Sequence, residues 1–397
     1  MKRRIFSSLL RINKNYVMFY SRISYFSSFD PINLISITVF LIFVLSLVLI
    51  PKIRSVALKL NLSDVPSHRS SHSIPVPTSG GVIFYICYIL VLIGLQSFDD
   101  NNVALSLLVS ISIVFFIGFF DDIKSLSPKV KFLGQIIAVA ILMNQPDFRI
   151  LSLNGFMGVC EIPMSVSIPG SMFFLLGLIN GFNLIDGIDG LAGITGIIVA
   201  SFYSFILFKS GYFFYLSLSV ATIATLSAFL RFNLSDRKKI FMGDTGSLVI
   251  GLVLGLLTLK LMSIGDKAYI SLYFNDGNLP FFLIGVLFVP LLDTLRVMLL
   301  RFTRGVSMFK SDRNHIHHIL IDFGLSHRKA AFFIGFVNFT VALLMFFVIR
   351  KYNNLESLLI LSSIFLISII VLFLMNKNIP AIKLKLKIKK SMLKLLL

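Results

Sequence analysis

Two polar stretches with potential metal ligands interrupt a strongly apolar sequence. The stretch NGFNLIDGIDGLAG (180–193) contains Asn183, Asp186 and Asp189, and the stretch FMGDTGS (241–247) contains Asp244. An acidic side chain at the centre of a bilayer costs on the order of 2.5–3.5 kcal/mol, so a position near a helix end is favoured. Carboxylates gathered at one place repel one another, and a divalent cation would relieve that repulsion. Oxygen ligands of this kind suit Mg²⁺, with Mn²⁺ as the substitute, rather than zinc.

Three further polar clusters accompany these two stretches. They are DVPSHRSSHSIPVPTSGG (64–81), DDIKS (121–125) and DRNHIHH (312–318). All five clusters lie in, or next to, loops that the distribution of Lys and Arg places on one side of a membrane. Five segments that are far apart in the chain and meet at one membrane face are what a single active site between helices requires.

The composition is that of a membrane protein rather than of a soluble domain. Of the 397 residues, 56% are hydrophobic and only 14% are charged, against about a quarter charged in soluble domains. The net charge of +19 does not indicate nucleic acid, because most of the basic residues lie in short loops between apolar segments. Basic loops also suit anionic lipids and phosphate substrates. Cys87 and Cys160 form no CxxC pair, so neither a disulfide framework nor a zinc site is expected.

Eleven segments are apolar enough to be membrane spans, for which a helix needs about 20 residues. They lie near 33–51, 80–96, 103–120, 131–143, 170–184, 191–208, 212–230, 247–264, 280–301, 331–349 and 355–375. The fourth and fifth are short, so the predicted fold class is an all-α integral membrane protein with ten or eleven transmembrane helices and active-site loops in the cytoplasm.

The basic loops set the orientation by the positive-inside rule. The loops predicted to face the cytoplasm are 52–79, 121–131, 231–246 and 302–330. We divide the chain into a basic N-terminal extension (1–32), a polytopic membrane domain (33–375) and a basic cytoplasmic tail (376–397) that lies on the anionic inner leaflet. This orientation places the N-terminus outside, which conflicts with the basic residues at the start of the chain. An interfacial amphipathic helix or a true start at Met18 would resolve this conflict.

Each polar cluster also has a structural interpretation. Asp121 and Asp122 would serve as caps of the helix that begins near residue 128, and the DGIDG and GDTGS segments would be turns with helix caps. The histidines would form a solvated basic loop. Asp293 and Arg296, spaced i and i+3, would be a structural pair on one helix face. None of these interpretations explains why all the clusters share one side.

Together, DVPSHR…H…PVPTSGG, FFDDIKSLSPKVKFLGQ, NGFNLIDGIDGLAG, FMGDTGS and DTLRVMLLRFTRGVSMFKSDRNHIHH resemble the polyprenyl-phosphate N-acetylhexosamine-1-phosphate transferases. The resemblance covers roughly residues 35–330. The sequence HIHH resembles the corresponding sequence of the glycan-initiating branch of these enzymes rather than that of the peptidoglycan branch. Some members carry a third acid after the DD pair, but Lys124 and Ser125 follow it here.

The resemblance implies transfer of a sugar 1-phosphate from a UDP-N-acetylhexosamine to polyprenyl phosphate, at the inner membrane of a bacterium, to begin a surface glycan such as O-antigen. It implies Mg²⁺ at Asn183 and Asp244, and Asp121 as the residue that orients or deprotonates the lipid phosphate, with Asp122 as its partner. The residues implied in substrate binding are Asp186, Asp189, Phe241, Arg304, Arg313, His315, His317, His318, Arg69 and His72.

Two other classes of protein stay open at this point. An ion-coupled transporter also carries intramembrane acids, but it predicts polar residues near helix midpoints and an inverted repeat, and neither is clear in the sequence. A membrane scaffold gives no reason for the acidic and histidine clusters to converge. The sugar is open among GlcNAc, GalNAc, FucNAc and QuiNAc, and a homodimer is also open.

Overall fold

The structure is a computed structural model that describes residues 30–64, 75–95, 101–153, 155–264, 272–275, 277–305 and 314–396, with the backbone alone described at 64, 95, 101, 102, 157 and 380–396. The described residues form thirteen α-helices: α1 (Pro31–Lys59), α2 (Gly81–Leu95), α3 (Asn101–Ile123), α4 (Pro128–Leu142), α5 (Met164–Ile185), α6 (Leu191–Lys209), α7 (Phe213–Asn233), α8 (Gly243–Ser263), α9 (Leu279–Val286), α10 (Phe288–Thr303), α11 (Ile316–Asp322), α12 (His327–Lys351) and α13 (Asn354–Leu396). Strands β1 (Ser63–Asp64) and β2 (Val76–Pro77) form one short antiparallel pair. Two 3₁₀ turns, Pro146–Phe148 and Phe156–Gly158, lie between α4 and α5.

The helices confirm the predicted fold class of an all-α integral membrane protein. Within the described residues, eight helices are long and apolar enough to cross a membrane, and the bent pair α9–α10 makes a ninth if it is counted as one span. Each predicted segment coincides with a helix or with that pair. The lengths of α2 and α4 are only 15 residues each, which is less than a full span of about 20 residues.

The predicted ninth span, 280–301, is not one continuous helix, which corrects the sequence interpretation. Helices α9 and α10 meet at an angle of 79°. Pro290 has no N–H to donate to the carbonyl of Val286, so the hydrogen-bond ladder is interrupted there. Asn338 of α12 replaces the lost partners: its Nδ2 donates to the carbonyl of Val286 at 3.0 Å, and its Oδ1 accepts from the N–H of Val289 at 2.9 Å. A break in a membrane helix requires substitutes of this kind, because lipid supplies none.

Helix α8 is the centre of the bundle. In its apolar 18-residue stretch 94% of the residues are buried, compared with 11% in the corresponding stretch of the peripheral helix α13. Glycines allow neighbouring helices to approach it closely: a Cβ on Gly251 would lie 2.9 Å from the Cα of Ile179 in α5, and a Cβ on Gly118 would lie 2.6 Å from the carbonyl oxygen of Asp244. Helices α3 and α5 therefore pack directly against α8, and close packing of small residues is a principal source of helix association in membranes.

Contacts between loops bring the polar clusters to one end of this bundle, which we call the polar end (residues 52–64, 121–131, 183–190, 234–247 and 314–328). Arg54 Nε donates to the carbonyl of Lys239 at 3.0 Å, and Arg328 Nη2 donates to the carbonyl of Leu234 at 2.8 Å. The described parts of the predicted basic loops 52–79, 231–246 and 302–330 therefore lie at the same end of the molecule.

Candidate active site

Four helices contribute a cluster of charged and amide groups to the polar end. Asp244 lies in the first turn of α8, and its Oδ1 accepts a hydrogen bond from Asn183 Nδ2 of α5 at 2.7 Å. Lys131 of α4 contacts the other oxygen of Asp244 and lies 3.3 Å from Asp121 Oδ2 at the end of α3. One ammonium group thus bridges two carboxylates, and all four side chains are partly buried. The predicted meeting of Asn183 and Asp244 is a direct contact.

The two acids of the DD pair have different surroundings. Asp121 accepts from the N–H of Leu126 at 2.6 Å and contacts Lys131. Asp122 accepts from the backbone N–H groups of Asp244 at 2.9 Å and Thr245 at 3.0 Å, and from the hydroxyl of Thr245. Because the first N–H groups of a helix have no partner within it, Asp122 completes the N-terminus of α8.

This arrangement overturns the interpretation of the DD pair as caps of the helix near residue 128. Ser127 begins that helix instead: its Oγ accepts from the N–H of Val130 at 3.4 Å, and Pro128 follows at the first helical position. Asp122 serves a different helix, and Gly243 makes the approach possible. Gly243 has φ +70°, and a Cβ at this position would collide with a carboxylate oxygen of Asp122.

The DGIDG loop places two acids in different electrostatic environments. Burial, followed by the nearby charges of Asp244, Asp122 and Asp189, raises the pKa of Asp186 well above the usual range. Asp189 has a cationic partner, since Lys239 Nζ lies 2.6 Å from its Oδ2. Asn233 at the end of α7 fixes this loop by accepting from the N–H of Gly190 at 2.7 Å.

Phe241, one of the residues predicted to bind substrate, is held by backbone hydrogen bonds to the loop before α2. Its N–H donates to the carbonyl of Pro77 at 2.8 Å, and its carbonyl accepts from the N–H of Gly80 at 3.0 Å. Lys239 Nζ lies 5.8 Å from the centre of its half-buried ring. The loop rich in Pro and Gly therefore packs alongside the segment that leads into Asp244.

The three histidines lie together at the start of α11. The rings of His315 and His317 are parallel with centroids 5.8 Å apart, and those of His317 and His318 are 4.2 Å apart. His317 packs against Gly187, where a Cβ would collide with its Nε2. Burial, followed by the nearby His318, lowers the pKa of His317 to about 3, so this ring is neutral at physiological pH. The histidines thus contact the DGIDG loop.

Asp293 and Arg296 of α10 both hold the histidine segment. Asp293 Oδ2 lies 2.9 Å from His315 Nδ1, and Asp293 Oδ1 accepts from the N–H of Ile316 at 2.9 Å. Arg296 Nη1 donates to the carbonyl of Asn314. All of Asp293, Arg296 and His315 are buried. Sequence reasoning treated the first two as a structural pair and did not connect them with the histidines.

The remaining predicted residues are less informative. Arg304 is exposed at the end of α10, and Arg69, His72 and Arg313 lie outside the described residues. The sequence analysis did not select Lys131 as a site residue, although it has a discernible signal. Pro128 and Ser127 predict a helix start, and a helix that begins there returns alongside α3 and carries Lys131 back to Asp121.

The donors at Asn183 and Asp244 fit a hard divalent cation. An amide oxygen and a carboxylate are ligands that Mg²⁺ accepts, and Mg²⁺ is often bound through one or two protein groups with substrate phosphates and water completing the shell. The ammonium of Lys131 against both carboxylates shows that this place favours positive charge. Among the described residues no group of three or more His, Cys, Asp or Glu side chains could hold a metal ion.

Comparisons with known proteins agree with this architecture. The family model described as "Glycosyl transferase family 4" matches residues 104–262. A Bacillus subtilis (strain 168) protein with the name "Probable undecaprenyl-phosphate N-acetylglucosaminyl 1-phosphate transferase" is 30% identical over 332 residues, which are 83% of this chain and 87% of that protein. The "Undecaprenyl-phosphate alpha-N-acetylglucosaminyl 1-phosphate transferase" of Salmonella typhi is 28% identical over 297 residues, 73% of this chain and 77% of its own. The "Decaprenyl-phosphate N-acetylglucosaminephosphotransferase" of Mycobacterium tuberculosis (strain CDC 1551 / Oshkosh) is 29% identical over 320 residues, 74% and 78% of the two chains.

The fold and these similarities define a multi-pass membrane phosphotransferase. The chain belongs to glycosyl transferase family 4, among the polyprenyl-phosphate N-acetylhexosamine-1-phosphate transferases.

Proposed function

We propose that the protein transfers N-acetylhexosamine 1-phosphate from a UDP-sugar to undecaprenyl phosphate or a related polyprenyl phosphate, and releases UMP. The observation that carries the proposal is the direct contact of Asn183, Asp244 and Lys131, which come from three separate helices at the polar end. The printed names of the relatives make GlcNAc the first sugar to test. We place the reaction at the cytoplasmic face of a bacterial inner membrane, as the first membrane step of a surface glycan such as O-antigen.

The reaction requires positioning and charge neutralisation more than covalent chemistry by the protein. An oxygen of the lipid phosphate attacks the phosphorus that carries the sugar, and the bond from that phosphorus to the oxygen of UMP breaks. Since the second pKa of a phosphate ester is near 6, the acceptor is largely ionised at neutral pH. Asp121 therefore orients the lipid phosphate instead of acting as a strong base. Its bonds to Lys131 and the N–H of Leu126 hold it for that role.

Asp122 acts on the reaction through Asp244. It binds the backbone N–H of Asp244, so it fixes where the carboxylate of Asp244 stands relative to Asn183. We therefore assign Asp122 a positioning role within the predicted pair. Lys131 neutralises Asp121 and Asp244 and offers an ammonium to a phosphate oxygen.

For the metal, we propose that Asn183 and Asp244 hold Mg²⁺, or Mn²⁺ in its place. The cation would neutralise the diphosphate of the donor and polarise its oxygens. Asn183 presents Nδ2 to Asp244, and rotation of the amide by half a turn presents Oδ1 to a cation.

Binding of the donor is assigned to the loops around this cluster. Asp186, Asp189 and Phe241 would contact the nucleoside, and the histidines with Arg304 would contact the diphosphate or the sugar. The close contact of His317 with Gly187 supports a continuous surface from the DGIDG loop to the histidines. The exposed apolar faces of the helices provide the surroundings that an isoprenoid tail needs.

The test is release of UMP by the purified protein in detergent from UDP-GlcNAc and a short polyprenyl phosphate. We expect UMP only when both substrates and Mg²⁺ are present, and none with EDTA. Asp244→Asn protein, purified in parallel, controls for contaminating transferases. Absence of UMP with every UDP-N-acetylhexosamine, together with uptake of a solute by liposomes that contain the protein, would instead support the transporter alternative.

A further inference from the structure

A buried carboxylate on α10 contacts the imidazole of His315 in a way that helix capping does not require. Asp293 Oδ1 accepts from the N–H of Ile316 and so completes the first turn of α11. Its second oxygen lies 2.9 Å from His315 Nδ1. Capping uses only the first of these contacts. The second acts on the side chain of a predicted substrate-binding residue.

The contact determines which nitrogen of the ring faces away from α10. An ionised carboxylate only accepts hydrogen bonds, so Nδ1 of His315 carries a proton. Nε2 has no hydrogen-bond partner among the described residues. If the ring is neutral, this nitrogen presents a lone pair, which repels a phosphate oxygen. If the ring is protonated, the same nitrogen donates a charge-assisted hydrogen bond.

The position of α10 connects this pair with the proposed active site. Thr294, next to Asp293, packs against α5 at Gly181, which lies two residues before Asn183. A Cβ on Gly181 would be 3.0 Å from the Oγ1 of Thr294. On the other side, the ring of His315 stacks parallel to that of His317, which contacts Gly187. His315 and Asp293 therefore lie between the metal-site helix and the DGIDG loop.

We propose that Asp293 is a positioning residue for phosphate binding: it fixes the ring of His315 through Nδ1 and so aims Nε2 at the diphosphate of the donor, to which the imidazolium form donates. Arg296 supports the same segment through the carbonyl of Asn314. This inference rests on the proposed function for the identity of the substrate. The neighbouring His317 is unsuited to the role, because its buried Nδ1 has no hydrogen-bond partner among the described residues and burial lowers its pKa.

The first experiment reads the tautomer and needs no activity. Full-length protein labelled with ¹⁵N-histidine is compared with Asp293→Asn protein, and His315→Gln protein assigns the signals. The asparagine still accepts from Ile316 N–H, while its amide donates to Nδ1, so we expect the proton of the neutral ring to move from Nδ1 to Nε2. The same exchange of partners occurs when asparagine replaces the aspartate of a serine-protease triad. An unchanged tautomer in Asp293→Asn would overturn the proposal.

The second experiment measures transfer from UDP-GlcNAc in the Asp293→Ala, His315→Ala and double variants. We expect KM for UDP-GlcNAc to rise by about tenfold or more in Asp293→Ala, which is the scale of one lost hydrogen bond to a charged group, with kcat changed less. The double variant should be no worse than His315→Ala, because the two residues act as one unit. The inference would be contradicted if the effects of the two single substitutions multiplied in the double variant, or if KM were unchanged in Asp293→Ala.

Asp236→Asn is the matched control, because Asp236 is exposed and pairs only with Arg328 at the surface among the described contacts. It should transfer like the wild type. If the wild-type protein releases no UMP at all, the proposed function fails, whereas the tautomer measurement still tests the contact between Asp293 and His315.

Discussion

Replacing each acid of the DD pair by alanine should separate a role in the reaction from a role in holding helix α8. The two residues are neighbours in sequence and receive the same chemical change. Asp122 binds two backbone N–H groups and one hydroxyl at the start of α8, whereas Asp121 binds one backbone N–H and Lys131. We expect both variants to lose turnover and only Asp122→Ala to lose substantial stability.

The magnitude follows from the bonds that each alanine removes. Loss of a helix N-cap costs about 0.5–2 kcal/mol, and a hydrogen bond to a charged group contributes about 1.5–3 kcal/mol. Asp122 is half-buried, so water can satisfy part of what the carboxylate leaves unbonded. We expect Asp122→Ala to lower the free energy of unfolding by about 2–4 kcal/mol. In Asp121→Ala, water reaches the exposed turn before Leu126, and Lys131 still pairs with Asp244. The free energy of unfolding should therefore fall by about 1 kcal/mol or less.

The assay is thermal unfolding of the two purified variants in one detergent, followed by UMP release at a temperature where both are folded. Asp122→Ala should unfold several degrees below Asp121→Ala, and Asp121→Ala should unfold close to the wild type. Equal unfolding temperatures, or a lower one for Asp121→Ala, would refute the assignment of Asp122 to the start of α8.

Three further predictions concern other parts of the molecule. Asp244→Asn and Asn183→Ala should each lower Mg²⁺-dependent UMP release by about 100-fold or more while membrane insertion stays normal; a Mg²⁺ titration that reaches full activity in either variant would remove the metal assignment. At the opposite end of the bundle, Lys260 is buried with its ammonium 2.7 Å from Asp147 Oδ2. In thermal unfolding, Asp147→Ala should lower the free energy of unfolding by roughly 3 kcal/mol because it leaves a buried charge unpaired, and Lys260→Met should lower it much less. The lowered pKa of His317 means that the unfolded chain takes up a proton first as pH falls, so between pH 7 and pH 5 this histidine by itself should lower the stability of the wild type by about 2 kcal/mol. His317→Gln should lose correspondingly less over this range in unfolding scans at the two pH values, and an equal loss would show that another group titrates.

Hydropathy predicts the positions and the order of the apolar helices, because lipid exposure demands an apolar surface wherever a helix crosses the membrane. It fails at the ninth segment, where the sequence 280–301 is apolar throughout but the helix bends by 79°. Pro290 is the visible signal of that break. The compensating partner, Asn338, is 48 residues away, since 338 minus 290 is 48, and only the packing of α12 reveals the connection.

The site was predictable to the extent that it depends on helix ends. Asn183 and Asp244 each lie at the end of a helix, and the alternation of loops puts both ends on one side, so their contact follows from topology. The hydrogen-bond partner of each side chain does not follow from topology. Asp122 binds the start of α8, and Asp293 binds His315, because glycines and helix packing bring these elements together. No spacing in the sequence specifies either pair.

The balance of charge at the polar end explains why such a site would bind a cation and a diphosphate together. Lys131 pairs with Asp121 and Asp244, Asp122 binds the backbone N–H of Asp244, and Asp186 adds a fourth carboxyl group. Burial, with the charges of Asp244 and Asp122, raises the pKa of Asp186, so a negative charge is disfavoured at this position. A diphosphate alone would add further negative charge and be repelled. A divalent cation would attract both the carboxylates and the diphosphate, and it would also lower the pKa of Asp186 again. Binding of the nucleotide sugar should therefore depend on Mg²⁺ in the ground state as well as during transfer, because the same repulsion opposes both.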